Sequence, residues 1–220
     1  MATTSAGRAY PSHRRDGPSA ARELDHRIGN SLQLAADFLL LQQTRLRDPF
    51  ARAALIDAAE RLVAVGHLHR FLCAHDGGDL IDLRSYLREL AAIVGQSTGL
   101  RCTAEAEAVR VPSSLAQQLG LAVNELAINA AKHAYDRRES GVLLIRAERR
   151  GSALELTVAD RGGGLAPSFD PENAGGLGMG ILQAIVRQLH GRLDAYNEDG
   201  ACFTLSVPLA DGEPRSFAGP

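Results

Sequence analysis

Tryptophan is absent from this chain, cysteine is scarce, and neither sign of charge is in excess. Each shortage excludes a class of protein. The three cysteines, Cys73, Cys102 and Cys202, are widely spaced and form no Cys-x-x-Cys pair, so neither a disulfide framework nor a zinc site is expected. No stretch approaches the roughly 18 consecutive apolar residues of a membrane span, and the first twenty residues lack the apolar core of a signal peptide. The reading is a soluble cytoplasmic protein. With 24 Lys and Arg against 26 Asp and Glu, no basic excess draws nucleic acid or an anionic membrane, so phosphate recognition must be local.

What is present is enough for a folded protein: 45% of the 220 residues are hydrophobic. Residues 1–20 and 211–220 mix Ser, Gly, Pro and Arg without periodicity and read as tails. Between Ala21 and Ala74 the apolar positions Leu24, Ile28, Leu32, Ala35, Leu39 and Leu46, then Leu55, Ala58, Leu62, Val65 and Leu72, recur at helical spacing around an Asp48-Pro49 break. This predicts a two-helix hairpin over 21–76. A lone hairpin leaves apolar surface uncovered, and pairing of two copies into a four-helix bundle is the economical remedy, with packing against the rest of the chain as the alternative.

The turn-rich His75-Asp76-Gly77-Gly78-Asp79 marks a boundary, and a second domain is placed at 79–210. In it Asp82 can cap a helix through Ile93, and Pro112-Ser113-Ser114 opens another reaching about Tyr135. Short strands are expected near 101–103, 108–111, 142–147 and 154–158, and two more around Asn197-Glu198-Asp199-Gly200, with a helix from about Met179 to His190 before them. The fold class is α+β: a mixed sheet covered by helices on one face.

Three groups of residues can carry chemistry. His26 falls opposite the apolar stripe of the first helix together with Asn30, Gln33 and Asp37, so it should face solvent, where a neutral imidazole is available as a nucleophile and Asp25 or Glu23 could hold its other proton. Glu125 and Asn129 stand four apart on a helix, with Lys132 and His133 one turn on; two such oxygen ligands suit Mg²⁺, although the same spacing describes a solvated helix face. Asp160 ends a strand and is followed by Gly162, Gly163 and Gly164. A carboxylate fixed there can accept a hydrogen bond from an exocyclic amine, and glycines let backbone approach a planar base. Gly175-Gly176-Leu177-Gly178-Met179-Gly180 then leads into a helix whose first amides suit a phosphate, or else forms a surface loop. It is neither a Walker A loop nor a dinucleotide-binding fingerprint.

The order Asn-Glu-Leu-x-x-Asn-Ala-x-Lys-His, Asp-x-Gly-x-Gly, Gly-Leu-Gly-Met-Gly resembles the N, G1 and G2 boxes of the GHKL ATPases, which include histidine kinases and gyrase. The segment Glu23-Leu24-Asp25-His26-Arg27-Ile28-Gly29-Asn30 looks like the H-box of sensor histidine kinases with a His-Arg-x-x-Asn pattern, related to the HWE kinases. The resemblance covers about residues 21–208 and implies a Bergerat-type α/β sandwich behind a dimeric hairpin. It further implies ATP and Mg²⁺ as cofactors and His26 as the phosphorylated residue. Glu125 would be a base or metal-water ligand, Asn129 the Mg²⁺ ligand, Asp160 the adenine contact and Lys132 a phosphate contact. His133 would belong to the same nucleotide-contacting set, and Gly162, Gly164, Gly176, Gly178 and Gly180 would shape the lid.

The implied activity is autophosphorylation followed by transfer to an aspartate of a response-regulator receiver domain. The alternative is a phosphotransfer relay with a vestigial ATP domain. Gly29 stands where the subclass usually carries Lys, and the missing tryptophan removes the Trp-Glu signature of strict HWE kinases. No sensory module is expected before the hairpin, so that either a separate sensor protein supplies the input or there is none and the protein is a relay.

Overall fold

The computed structural model describes the backbone of residues 18–74, 80–135 and 141–209 and the side chains of 27–70, 80–135 and 141–209. Residues 1–17 of the expected tail 1–20, the expected tail 211–220 and the expected boundary at 75–79 lie outside the described residues, while 18–20 are already helical. Helices α1 (Pro18–Gln43) and α2 (Pro49–Ala74) pack as an antiparallel hairpin. Proline opens α2 at a position where a missing amide hydrogen costs nothing, and Asp48 accepts a hydrogen bond from the Phe50 amide at 3.0 Å.

The seam of the hairpin differs from the expected stripe. Gly29 and Ala36 are buried and Leu32 and Leu39 half-buried, whereas Ile28, Ala35 and Leu46 are exposed. The seam is shifted because the helices approach through small residues: Gly66 of α2 lies against Leu32 and the Gly29 carbonyl, and Arg70 crosses over Gly29. On α1 a second apolar row, Leu34, Phe38 and Leu41, is left in solvent at 69, 59 and 55% exposure.

Beyond the hairpin, β1 (Leu80–Asp82) pairs antiparallel with β3 (Arg110–Pro112) in a small sheet. Asp82 caps α3 (Leu83–Thr98) as expected, its carboxylate accepting from the Ser85 amide and hydroxyl, and Gly99 closes that helix at φ 74°. The main sheet runs in the order β2 (Arg101–Ala106), β4 (Val142–Arg150), β5 (Ala153–Asp160), β7 (Ala201–Pro208), β6 (Arg192–Asn197). Only β2 and β4 pair in parallel, so the sheet is mixed.

Period-two alternation puts Leu143, Ile145, Leu156, Val158, Leu205 and Val207 on one face. Helices α3, α4 (Ser113–His133) and α5 (Leu177–Gln188) cover that face through Leu87, Leu90, Leu119, Val123, Leu182 and Ile185. The opposite face is polar and carries Arg146, Glu148, Thr157 and Thr204. The α+β class and the one-sided covering are those expected. Strands β2, β4 and β5 each run three residues longer than expected, whereas β3 occupies only 110–112 where 108–111 is expected, and β1 was not anticipated because three residues show no alternation.

Candidate functional site

The site grows from α4, whose apolar face is sunk in the core and whose remaining face meets α2, α5 and the end of β5. A cavity of about 530 Å³ opens there between α4, β5 and the 164–178 loop. Leu126, Ala130, Leu143, Val158, Met179 and Phe203 give it apolar walls, and Phe169 from the loop stands edge-on to Phe203 with ring centroids 5.9 Å apart. A flat aromatic ligand fits such walls.

Asp160 lies in the cavity wall, 7% exposed. Its Oδ1 accepts hydrogen bonds from the Gly162 amide (2.9 Å) and the Ala201 amide (3.1 Å), and among the described residues Oδ2 takes none. The carboxylate is thereby fixed, with one oxygen left to accept from a ligand. Gly162 is required for a different reason from the one expected: a side chain there would meet the Ala134 carbonyl, not a base, and the Gly163 amide bonds that same carbonyl at 2.9 Å. Gly164, at φ 74°, needs the left-handed conformation and lies in the cavity wall.

At the other end α5 begins without a side-chain cap, behind Gly176 at φ 98°. Its first amides are therefore available to an anion. Gly178 is a close-approach glycine: a methyl group there would stand 2.9 Å from Glu125 Oε2, 3.1 Å from Arg61 Nη2 and 3.4 Å from Asn129 Oδ1. Gly180 has open space around it, so no steric demand explains it.

Of the N-box residues, Asn129, Lys132 and His133 line the cavity, and Asn129 Nδ2 lies 3.8 Å from Met179 Sδ. Glu125 does not. It is fully buried, its Oε2 accepts from Arg61 Nε at 2.7 Å, and its Oε1 has no partner among the described residues. Arg61 stands in the cavity wall in its place, and Asp57, one turn earlier on α2, pairs with Lys132 at 2.5 Å. Glu125 and Asn129 converge beside Gly178, as their spacing predicts, but Arg61 of the hairpin covers Glu125, which the solvated-face alternative does not allow. The side chain of His26 lies outside the described residues; its backbone belongs to α1.

Several residues that hold the site escaped the sequence reading. The Tyr135 hydroxyl donates to the Val142 carbonyl (2.6 Å) and accepts from the Val142 and Arg161 amides, stapling the end of α4 to β4 and the Asp160 turn. The Asn197 amide exchanges two hydrogen bonds with the Leu165 backbone, and Gln183 Nε2 donates to the carbonyls of Pro171, Glu172 and Ala174. None of these carries a sequence signal beyond a polar side chain in or beside an element. Gly200, at φ 142° and packed on the Asp160 carbonyl, was legible as a turn residue only.

The sequence model of the family described as "Histidine kinase-like ATPase domain" matches residues 90–207, more than half of the chain. The protein belongs to the histidine kinase-like ATPases. A second model, described as "Histidine kinase", matches residues 23–98 of this family member, the segment that holds His26 and the hairpin. Among curated relatives, the sensor histidine kinase PdtaS of Mycolicibacterium smegmatis is 30% identical over 196 residues, covering 86% of this ATPase-family chain and 39% of PdtaS. Blue-light-activated histidine kinase 2 of Erythrobacter litoralis is 27% identical over 89% of the chain and 60% of its own length. The chain therefore spans between about two fifths and three fifths of these relatives. Among solved structures, the Erythrobacter litoralis EL346 blue-light activated histidine kinase matches with a TM-score of 0.62 at 25% identity, over 91% of this chain and 66% of that one. The histidine kinase domain of the same protein matches at 0.61 and 23% identity, over 83% and 94%, which supports the fold. No helix among the described residues is long and apolar enough to cross a membrane.

Proposed function

We propose that this chain is the kinase core of a two-component pathway: it phosphorylates His26 at the expense of ATP and passes the phosphoryl group to an aspartate of a response-regulator receiver domain. The observation that carries the reading is one cavity lined both by a pinned carboxylate, Asp160, and by the uncapped start of α5, in a chain whose first helix holds a histidine within a matched histidine kinase segment.

Asp160 Oδ2 would accept from the adenine amine, Lys132 and His133 would flank the phosphates, and Gly164, Gly176 and Gly178 would keep the lid close to them. Asn129 Oδ1, an oxygen donor in the cavity wall, fits a hard divalent cation such as Mg²⁺, with the Glu125 carboxylate behind it and outside the lining, and no group of three acidic, His or Cys side chains among the described residues would build a closed cage. When bound, the ion offsets charge on the β- and γ-phosphates. His26 acts as the nucleophile: its neutral ring nitrogen forms the P–N bond as the β–γ bridging P–O bond breaks and ADP leaves, and a carboxylate takes the proton from the other ring nitrogen. Boundaries at 21–76 for the hairpin and 79–210 for the ATP domain, and a homodimer through the exposed row of α1, complete the proposal. The intact cavity speaks against a relay with a vestigial ATP domain.

Incubation with γ-labelled ATP and Mg²⁺ tests this. Acid-labile label on the wild type is expected to be lost in His26→Ala and to fall at least about 100-fold in Asn129→Ala. Label that survives His26→Ala would reassign the phosphoacceptor. A wild type that neither takes label nor binds nucleotide would favour the relay.

A further inference from the structure

Arg61 belongs to neither the N box nor the glycine loops, yet it stands in the cavity wall, and it is only 7% exposed. Two of its three guanidinium nitrogens are engaged: Nε donates to Glu125 Oε2 at 2.7 Å and Nη1 to the Asp57 carbonyl at 3.0 Å. Nη2 donates to nothing among the described residues. It lies beside Gly178, 3.1 Å from where a methyl group on that glycine would stand. A guanidinium held at two points therefore aims its remaining N–H groups at the first turn of α5, whose own amides are uncapped. A buried donor left unmatched is costly unless a ligand completes it, and an anion is what a guanidinium and the start of a helix both accept.

Position along α4 decides which part of a nucleotide arrives there. The Gly163 amide bonds the Ala134 carbonyl, so the turn after Asp160 sits at the level of residue 134. Arg61 and Gly178 meet at Glu125, roughly 13 Å further along the helix at 1.5 Å of rise per residue. With the base at Asp160, the ribose and inner phosphates pass His133, Lys132 and Asn129, and the outermost phosphate is the group that reaches Arg61. Net charge does not do the selecting. Glu125 and Asp57 face Arg61 and Lys132 as matched pairs, and the buried Glu125 would repel a phosphate if Arg61 did not neutralise it. What Arg61 adds is a directed, charge-assisted N–H at a fixed place.

We infer that Arg61 is a ligand of the terminal phosphate of ATP, supplied by the hairpin to the cavity of the ATP domain, and that it distinguishes ATP from ADP. The identity of the nucleotide rests on the kinase reading, and the open donor rests on the geometry alone. ADP, one phosphate shorter, ends before Nη2 and keeps the other contacts.

The test measures the affinity of the full chain for ADP and for the non-hydrolysable β,γ-imido analogue of ATP, each with Mg²⁺, by displacement of a fluorescent nucleotide. Wild type, Arg61→Ala and Arg61→Lys are compared. Arg61→Ala strands the buried Glu125 charge and can unfold the joint. Arg61→Lys keeps a cation for Glu125 but loses the second arm of the fork, so it decides the matter if the alanine variant does not fold. In Arg61→Lys the ATP analogue is expected to bind about fivefold more weakly or worse, and ADP to change by less than about twofold. A folded Arg61→Ala should weaken the ATP analogue by about tenfold or more, with ADP again the less affected. Equal losses for the two nucleotides would make Arg61 a support of the wall and overturn the inference. Affinities unchanged in Arg61→Lys would overturn it as well. The kinase reading is judged separately, from label on the wild type. Binding of ATP without acid-labile label rejects that reading, and the ratio of the two affinities still upholds or rejects Arg61 as a phosphate ligand; a wild type that binds neither nucleotide rejects both.

Discussion

At the residue scale the glycines separate into those held by sterics and those held by nothing visible, and the distinction gives predictions of opposite sign. Gly120 of α4 has Tyr86 Oη pressed against it and Leu68 Cδ2 at 3.1 Å from where a methyl group would be, with Tyr86 itself only 2% exposed. Gly120→Ala therefore overpacks the joint between α2, α3 and α4 and should lower stability by about 1–3 kcal/mol. Gly29 is crowded only by the Arg70 side chain, whose nearest atoms would lie 3.1 Å from an added methyl. A flexible arginine can shift, so Gly29→Ala should gain helix propensity and raise stability by about 0.5–1 kcal/mol. Chemical denaturation of the two variants checks both signs. Asp160 shows what residue identity could and could not disclose: a carboxylate at a strand end was legible, but its fixation by the Gly162 and Ala201 amides depends on β5 and β7 lying side by side.

At the scale of elements the lid segment 164–176 is held by side chains of its neighbours rather than by its own backbone. Gln183, on the first turns of α5, donates to three carbonyls of the segment, and Asn197 at the end of β6 mimics a strand partner for Leu165. Asp170 adds a local turn, accepting from the Glu172 amide and from Asn173, and these bonds hold its carboxyl below the usual carboxylate range. Gln183→Ala releases the three carbonyls at once. It should weaken nucleotide binding by about three- to tenfold with little change in melting temperature, since each lost hydrogen bond contributes about 0.5–1.5 kcal/mol and the segment is peripheral to the core. Titration with a fluorescent nucleotide decides it, and an unchanged affinity would mean that the lid needs no such tether.

For the whole molecule, the apolar row Leu34, Phe38 and Leu41 on α1 is the surface that the fold leaves uncovered, the ATP domain being docked on α2 instead. Three large side chains more than half exposed on one helix face favour self-association. Phe38→Glu and Leu41→Glu should convert a dimer into a monomer at micromolar concentration, by a loss of at least about 10-fold in association, which sedimentation equilibrium would read directly. A wild type that is monomeric at every concentration would contradict the four-helix bundle.

Most of the architecture was legible in the chain itself, because helical spacing, period-two alternation and the cap at Asp82 are local and depend on neighbours within a few residues. The nucleotide boxes were legible for the same reason: each is a contiguous stretch. The exposed row on α1, the glycine-lined seam of the hairpin and the fate of Glu125 were not. Glu125 and Arg61 are separated by 64 residues, and nothing in either segment marks the other. Which charges are buried together, and hence whether the N-box carboxylate faces a ligand or the hairpin, is decided by how two separately legible units dock, since a buried charge must find its counter-ion in space and not along the sequence.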